Sequence, residues 1–435
     1  MRDKRTSGWG PDFGIFWTAQ TLSVLGDSFA LIALPLLVLE ATGSIARMGL
    51  LTAVGGAAAV LAGVFAGALV DRVDRRRLLI TCDLVRMALY GLIPLVWLAG
   101  PRIWLLYTVL PLCEAVGMVF SVAYVTAVRA LVGTERITAA NGRLNATAAA
   151  AGVAGPVCAG FVAAVTGSAA AVAADAASFG VSALCLGFLR FAPATRSGLP
   201  AADDTGSAGS TGSTSSTGST GSTGSTAFTG LWRDLLAGAH FLRRHPVLRA
   251  VTALLAVFSF LELGLNDMLI YHLKHDLGQS DGTVGTVLAV GTLGSIAGAL
   301  PAARMRHGLG FGPTWIGAVA VCGCAMAGIG WALDVPEVAF LTALFLGSAG
   351  LAGTCSMSLR QQVTPEHLLG RVTSAFWTIH YAAAPVGAAV VTSAAQHHGT
   401  AAVGAVAGAC TLGVALLALL TPVRTRHPES ATEAA

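Results

Sequence analysis

The chain has 435 residues, of which 54% are hydrophobic and only 11% are charged. Soluble domains carry about 25% charged residues, so this composition excludes an ordinary soluble protein and indicates an integral membrane protein. The net charge of +4 comes from 26 basic and 22 acidic residues spread along the chain, which excludes a basic nucleic-acid-binding domain.

Twelve apolar segments follow one another along the chain. Each has about 20 residues, the length with which a helix crosses a hydrocarbon core of roughly 30 Å. Their mixture of Gly and Ala with Leu and Val is typical of closely packed membrane helices, whereas barrel strands are short and alternating. We therefore predict an all-α membrane protein with twelve transmembrane helices, six on each side of residue 200. The segments cover residues 13–39, 46–70, 78–99, 103–127, 144–166, 168–190, 247–273, 282–302, 313–333, 337–359, 368–393 and 399–421.

A segment of different composition joins the two halves. Residues 203–226 are rich in Gly, Ser and Thr, bury too little apolar surface to fold, and predict a flexible linker. The segment after it has apolar residues at helical spacing with arginines between them, which predicts an amphipathic helix on the membrane or against cytoplasmic loops. The predicted domains are an N-terminal six-helix bundle (1–200), a linker (201–229), the amphipathic helix (230–246) and a C-terminal six-helix bundle (247–435).

The distribution of cations predicts the orientation. Of the 26 basic residues, 22 lie in segments on the side that carries both chain ends, and the exceptions are Arg47, Arg86, Arg102 and Lys274. Cytoplasmic loops of membrane proteins carry such an excess of Lys and Arg. We expect both termini in the cytoplasm and, given the Ala- and Arg-rich composition, a bacterial inner membrane.

Two short patterns recur at one offset. Gly63-x-x-Ala-Gly-Ala-Leu69 returns as Gly294-x-x-Ala-Gly-Ala-Leu300, and Arg129-x-x-Val-x-x-Glu135 returns 231 residues later at Arg360. Such internal duplication is typical of secondary transporters. Since the sequence has no Gly-x-x-x-x-Gly-Lys-Ser/Thr phosphate loop, we expect transport to be driven by an ion gradient, with no cofactor.

Charged groups inside membrane helices are costly, which makes each one a functional candidate. Gln20, Ser23 and Asp27 share one face of the first span, and Asp27 is the strongest candidate for proton coupling. Ser259, Glu262 and Asn266 form a similar stripe in the seventh span, so Glu262 is its expected counterpart across the cavity. Glu114 is a third candidate. A role in helix packing remains open for each carboxylate, and is the expectation for Asp175, near the outer end of its span.

Aromatic residues cluster in the eleventh span, where Trp377, His380 and Tyr381 precede Pro385. Aromatic faces suit hydrophobic or cationic ligands, but such residues also serve as packing groups and interfacial anchors. Both interpretations stay open.

The segment after the second span predicts a conformational latch. Gly67 permits close helix approach, Asp71 suits the positive end of a facing helix, and Arg72, Arg75 and Arg76 are expected to pair with nearby carboxylates such as Asp74 and Asp83. Asp83 and Arg86, three residues apart on the third span, are expected to pair with each other.

We expect no metal site. The eight cysteines lie in or beside predicted spans, and Cys322 and Cys324 point to different faces of a helix. His397 and His398 have no acidic neighbour in sequence.

Four segments carry a family resemblance: 20–29, 71–79, 175–179 and 238–246. With them the chain resembles a major facilitator superfamily transporter, of the branch that contains enterobactin and macrolide exporters. The resemblance implies two six-helix bundles around a central cavity, moving by alternating access. Gly152, Gly155, Pro156 and Gly160 also resemble the Gly-Pro motif of antiporters in this superfamily, although one of the final glycines is replaced by alanine.

The leading hypothesis is a monomeric proton antiporter, not an enzyme, that exports an amphipathic small molecule such as an antibiotic, drug or siderophore across the lipid bilayer. Uptake by symport or facilitated diffusion is the alternative. A non-transporting membrane sensor or lipid-handling scaffold is a third possibility.

Overall fold

The computed structural model describes residues 11–70, 73–189, 236–365 and 368–428. Within these ranges the chain is helical and has no strand, and twelve segments are long and apolar enough to span a membrane. Large apolar side chains face outward, as lipid contact requires: Leu61, Phe161 and Leu184 are 65%, 65% and 68% exposed. The predicted all-α fold with twelve spans is confirmed.

In chain order, the helices are α1 (Pro11–Thr42), α2 (Ile45–Val70), α3 (Arg75–Trp97), α4 (Ile103–Thr166), α5 (Ser168–Phe188), α6 (236–244), α7 (Pro246–Tyr271), a π-helical turn (His272–Asp276), α8 (Asp281–Ala299), α9 (Ala302–Leu309), α10 (Phe311–Ile329), α11 (Val335–Val363), α12 (Leu369–Ala382), α13 (Ala384–His398), α14 (Thr400–Leu419) and a 3₁₀ turn (Pro422–Arg424).

Helix α4 contains two of the twelve spans. Tyr124, at the end of its first span, stacks on Phe16 with ring centroids 5.5 Å apart. Thr147, at the start of its second span, accepts a hydrogen bond of 2.8 Å from Nε1 of Trp17. Because Phe16 and Trp17 lie at the same end of α1, the chain reverses between Tyr124 and Thr147, and the two spans are antiparallel. We call the membrane face at this end of α1 the terminal face, and the other the opposite face.

Helices α12 and α13 form one span with a break in the middle. Helix α12 ends at Ala382 and α13 begins at Ala384. Pro385 lies in the first turn of α13, where the missing N–H of proline leaves no broken helical bond and its fixed φ favours a helix start. The break allows the two segments to have different directions.

The two halves of the molecule contact each other at the opposite face. The Ser44 hydroxyl, beside the turn between α1 and α2, donates a hydrogen bond of 2.9 Å to Oε1 of Gln396 in α13. Helices α4 and α8 approach closely where Gly160 meets Gly285, and a Cβ atom on either glycine would overlap the backbone of the other helix. Small residues are therefore required at this crossing.

Charged groups gather at the same face. Nζ of Lys274 lies 2.5 Å from Oδ1 of Asp281 at the start of α8. Across the boundary, Glu40 accepts a hydrogen bond of 2.7 Å from Ser168 and lies within electrostatic range of both Lys274 and Asp281. The opposite face is therefore closed by polar as well as steric contacts between the halves.

The predicted linker, 201–229, lies outside the described residues. The part of the amphipathic segment that the structure describes, α6, ends just before His245 and Pro246. Gly238 packs so closely against α12 that a Cβ atom would overlap the Arg371 carbonyl. The helix is thus held against the neighbouring helix of the C-terminal half.

His245 caps the start of α7. Its Nδ1 accepts a hydrogen bond of 3.3 Å from the backbone N–H of Leu248. Burial lowers the pKa of His245, because a charged ring is poorly solvated there. The neutral ring keeps the acceptor that the cap needs.

Candidate transport cavity

A cavity of about 780 Å³ lies in the N-terminal half, among α1 to α4. It extends from Leu34 and Leu51, in the interior, to Tyr124 and Thr147 near the terminal face. The predicted stripe Gln20, Ser23 and Asp27 is part of its wall, together with Glu114 and Arg86.

A second cavity, of about 750 Å³, lies mainly in the C-terminal half. Gly56, Ala59, Met118 and Leu263 belong to the walls of both cavities, so the two adjoin. Asp27 lines the first of these adjoining cavities and Glu262 the second, whereas the two carboxylates were expected to face each other across one cavity.

The shortest ion pair of the N-terminal cavity joins α1 to α3. Nη2 of Arg86 lies 2.5 Å from Oδ1 of Asp27, and the side chains are 10% and 43% exposed. The Arg86 guanidinium also lies 3.9 Å from the ring centroid of Phe179, which adds a cation–π contact. Asp27 is thus both paired and open to water in the cavity.

The predicted pair between Asp83 and Arg86 is wrong. Arg86 reaches across to Asp27, whereas Asp83 is fully buried and neither carboxylate oxygen has a hydrogen bond within the described residues. The hydroxyl of Ser182 in α5 lies close to it. The prediction failed because the Arg86 guanidinium extends across to Asp27 on α1, a contact between helices that the spacing along α3 does not reveal.

Asp175 belongs to the same group of charges. It packs beside Gly26, the neighbour of Asp27, and is fully buried. The Ser178 hydroxyl contacts its carboxylate at 3.5 Å. The expected position near the outer end of the span is therefore wrong, and Asp175 lies at the depth of the Asp27–Arg86 pair.

Four carboxylates share one guanidinium in this region. Asp27, Glu114 and Asp175 all lie within electrostatic range of Arg86, as does Asp83 on its own helix. We call these five residues the acidic cluster. Fully ionised, it would carry three excess negative charges inside the membrane, so it requires bound protons or a cation.

The C-terminal cavity has a different chemistry. Glu262 lies in its wall with Ser259 and Asn266, as the stripe in α7 predicted. Trp377 and Tyr381 of α12 face the same space and stack with ring centroids 5.2 Å apart. His380 also lines the cavity, and its Nδ1 is buried without a hydrogen-bond partner among the described residues.

Arg360 of α11 contacts this aromatic group from the side away from the cavity. It is 2% exposed, and its guanidinium lies 3.5 Å from the ring centroid of Phe376 and 5.4 Å from that of Trp377. Sequence reasoning identified Arg360 only as an anchor of the duplication, because a cation–π contact between α11 and α12 has no signature in either segment.

The predicted latch is only partly described. Asp71 and Arg72 lie outside the described residues, Gly67 lies in the last turns of α2, and Arg75 is exposed at the start of α3. Asp74 accepts a hydrogen bond of 2.9 Å from the N–H of Arg77 and so caps α3.

Among the described residues, Arg76 does not make the expected contact with a carboxylate. Its guanidinium donates to the carbonyl oxygens of Leu186, at 3.2 Å, and Gly187 at the end of α5. These carbonyls belong to the last turn of α5 and form the negative end of its dipole, and that of Leu186 also accepts a hydrogen bond of 3.2 Å from the N–H of Leu189. A cation is therefore stabilised there, and the prediction that Arg76 would pair with Asp74 or Asp83 is wrong.

The glycines of the antiporter-like motif contact two other helices, α1 and α8. Gly155 lies against Ser28 of α1, Gly152 near Thr292 of α8, and Gly160 against the start of α8. Pro156 lies within α4. The motif therefore lies at the closed contact between the halves.

The family model of the Major Facilitator Superfamily matches residues 16–388. This chain belongs to the major facilitator superfamily. Among relatives, the multidrug efflux pump Tap of Mycolicibacterium fortuitum is 25% identical over 87% of each chain. The pump Tap of Mycobacterium tuberculosis is 26% identical over 91% of this chain and 90% of its own length.

Solved structures agree with the fold of this superfamily member. The nucleoside transporter NupG matches with a TM-score of 0.70 and 13% identity, covering 94% of this chain and 99% of its own. A D-xylose–proton symporter matches with a TM-score of 0.68 and 10% identity, over 93% and 97% of the two chains. The protein is therefore a multi-pass membrane transporter and not an enzyme.

No group of three or more potential metal ligands occurs in the parts of this transporter that the structure describes. Cys322 is buried and Cys324 is exposed, and both are free thiols. The two side chains lie on different faces of α10. They therefore cannot bind the same metal ion.

The Asp27–Arg86 pair predicts non-additive stability effects. Arg86→Gln should destabilise the protein by about 2 kcal/mol, because it leaves Asp27 unpaired near other carboxylates. Adding Asp27→Asn should restore part of that loss, since it removes the unpaired charge. The measurement is the thermal unfolding midpoint in detergent, followed with a thiol-reactive dye that reports exposure of buried cysteines. Strictly additive losses would show that the pair is not coupled.

Proposed function

We propose that this transporter exports amphipathic small molecules, such as antibiotics, drugs or siderophores, across a bacterial inner membrane by proton antiport with alternating access. The observation that carries the proposal is the acidic cluster, of which Asp27, Arg86 and Glu114 line the N-terminal cavity while Asp83 and Asp175 are buried behind them. The relatives at 25% and 26% identity are multidrug efflux pumps, which favours export over uptake. The proton gradient supplies the energy, and a single chain contains the complete pathway.

The charge balance of the cluster supports proton coupling. Four carboxylates with one guanidinium retain excess negative charge that the membrane interior does not tolerate. Protons neutralise it when no other cation is present. The 43% exposure of the Asp27 side chain gives these protons a route to water. A step that changes the water content of the cavity would therefore change the number of bound protons.

The contacts between the halves support alternating access. The N-terminal cavity extends towards the terminal face, through Tyr124 and Thr147, while Gly160 and Gly285 close the opposite face. We infer from the distribution of cations that the terminal face is cytoplasmic. This conformation would then take up its cargo from the cytoplasm, and release would require separation of α4 from α8.

Transport into everted membrane vesicles tests the proposal. With ethidium as an optical probe within a panel of amphipathic dyes and antibiotics, we expect accumulation when respiration acidifies the vesicle interior. A protonophore should abolish that accumulation. Vesicles from cells with an empty vector provide the control.

Each alternative has its own outcome in this assay. Accumulation that is indifferent to the protonophore would contradict proton coupling. Gradient-driven uptake in right-side-out vesicles, with none in everted ones, would identify an importer. The absence of flux for every compound of the panel in either preparation would support a non-transporting role.

A further inference from the structure

Glu262 is a carboxylate without a counter-ion. It lines the C-terminal cavity from α7, and it makes no hydrogen bond or ion pair within the described residues. The ionisable neighbours that sense its charge are Cys322 and Tyr381, which are neutral at physiological pH. Asp27, in the adjoining cavity, has Arg86 instead. An ionised Glu262 therefore needs a bound proton or a cationic ligand to neutralise its charge.

Aromatic faces border the same space. The Trp377 and Tyr381 rings are stacked with an interplanar angle of 13°. The Trp377 and Tyr381 side chains are 38% and 51% exposed, and both line the cavity. Rings in this position attract a cation within about 6 Å of their centroids, so they and the carboxylate favour the same kind of ligand group.

The nearest buried cation does not supply the missing charge. The Arg360 guanidinium lies 3.5 Å from the ring centroid of Phe376 and 5.4 Å from that of Trp377, but neither Arg360 nor Phe376 lines the cavity. His380 is the titratable group of the wall that could become positive, and its neighbours there are aromatic rings. A ligand must therefore bring its own charge.

Most of the remaining wall is apolar. It surrounds a volume of about 750 Å³, within the usual range for cavities that hold drug-sized molecules. These apolar residues are Leu263, Leu265, Leu269, Leu288, Ile329, Phe345 and Leu346.

We propose that the C-terminal cavity binds a lipophilic monocation, with its charge between Glu262 and the Trp377–Tyr381 faces and its apolar body among the leucines. This inference rests on the proposed export of amphipathic molecules and defines their class. It also separates two tasks: the acidic cluster carries protons and the C-terminal cavity carries cargo.

Equilibrium binding of radiolabelled tetraphenylphosphonium to the purified full-length chain in detergent tests the inference. Glu262→Gln should weaken binding about tenfold or more, since it removes the charge and keeps the shape. Glu337→Gln, the same change at an exposed position in the first turn of α11, should change the affinity less than twofold. Unchanged affinity in Glu262→Gln would overturn the proposal, as would loss of binding in Asp27→Asn alone.

A second pair of variants covers the case in which Glu262→Gln does not fold. Trp377→Ala should weaken tetraphenylphosphonium binding severalfold, and Trp377→Phe should retain most of it. Equal affinity of these two variants would contradict an aromatic cation site. Because no gradient is present, a failure of binding is distinguishable from a failure of proton coupling, which affects only vesicle transport.

Discussion

Asparagine in place of Asp27 is expected to abolish proton-driven accumulation of cargo, to the level of vesicles without the protein. Asparagine has nearly the same shape and its carbonyl can still accept a hydrogen bond from Arg86, but it cannot bind and release a proton. Exchange of cargo across the membrane without a gradient should continue, because the cavities remain. The measurements are respiration-driven accumulation and counterflow of the same compound in everted vesicles.

Glu337→Gln is the matched control for this variant, and it should retain both activities. Accumulation by Asp27→Asn at the level of the unmodified protein would transfer the coupling role to Glu114 or Asp175. Loss of counterflow as well would indicate that Asp27 binds cargo, and would contradict the separation of tasks between the two cavities.

Leucine in place of Gly285 is expected to reduce transport at least about tenfold by preventing closure of the opposite face. A Cβ atom at this position already overlaps the Pro156 carbonyl of α4. Overpacking of this kind typically costs about 1–3 kcal/mol, and the middle of that range, about 2 kcal/mol, shifts a two-state population about 30-fold. A cysteine at position 44 should then react faster with a membrane-impermeant maleimide.

Gly413→Leu is the control, because a Cβ atom there has no neighbour within 4 Å. It should transport normally and leave the labelling rate of a cysteine at position 44 unchanged. If Gly285→Leu labels at the unmodified rate and transports fully, the crossing of α4 and α8 is not the contact that opens.

The spans were predictable from the sequence because each crosses a hydrocarbon core of nearly fixed thickness. The number of consecutive apolar residues decides whether a segment such as Phe311–Ile329 can span that core. The stripes around Asp27 and Glu262 were predictable for a related reason, since the helical repeat fixes which residues share a face.

Partners across helices were not predictable in the same way. Arg86 lies three residues from Asp83 in sequence, yet it contacts Asp27 on another helix. Arg76 likewise contacts carbonyls at the end of α5. Both contacts depend on the rotation and depth of packed helices, which a single sequence does not encode locally. The depth of Asp175 was mistaken for the same reason.

The boundary where the two cavities adjoin connects the size of the cargo with the protons that it displaces. Its members Gly56, Ala59, Met118 and Leu263 line both spaces, and two of them have little or no side chain. A molecule too large for the C-terminal cavity would extend past these residues into the N-terminal cavity. There it would displace water from around Asp27. The number of protons exchanged per molecule would then depend on the bulk of the cargo, so that small and large solutes would be exported with different stoichiometries.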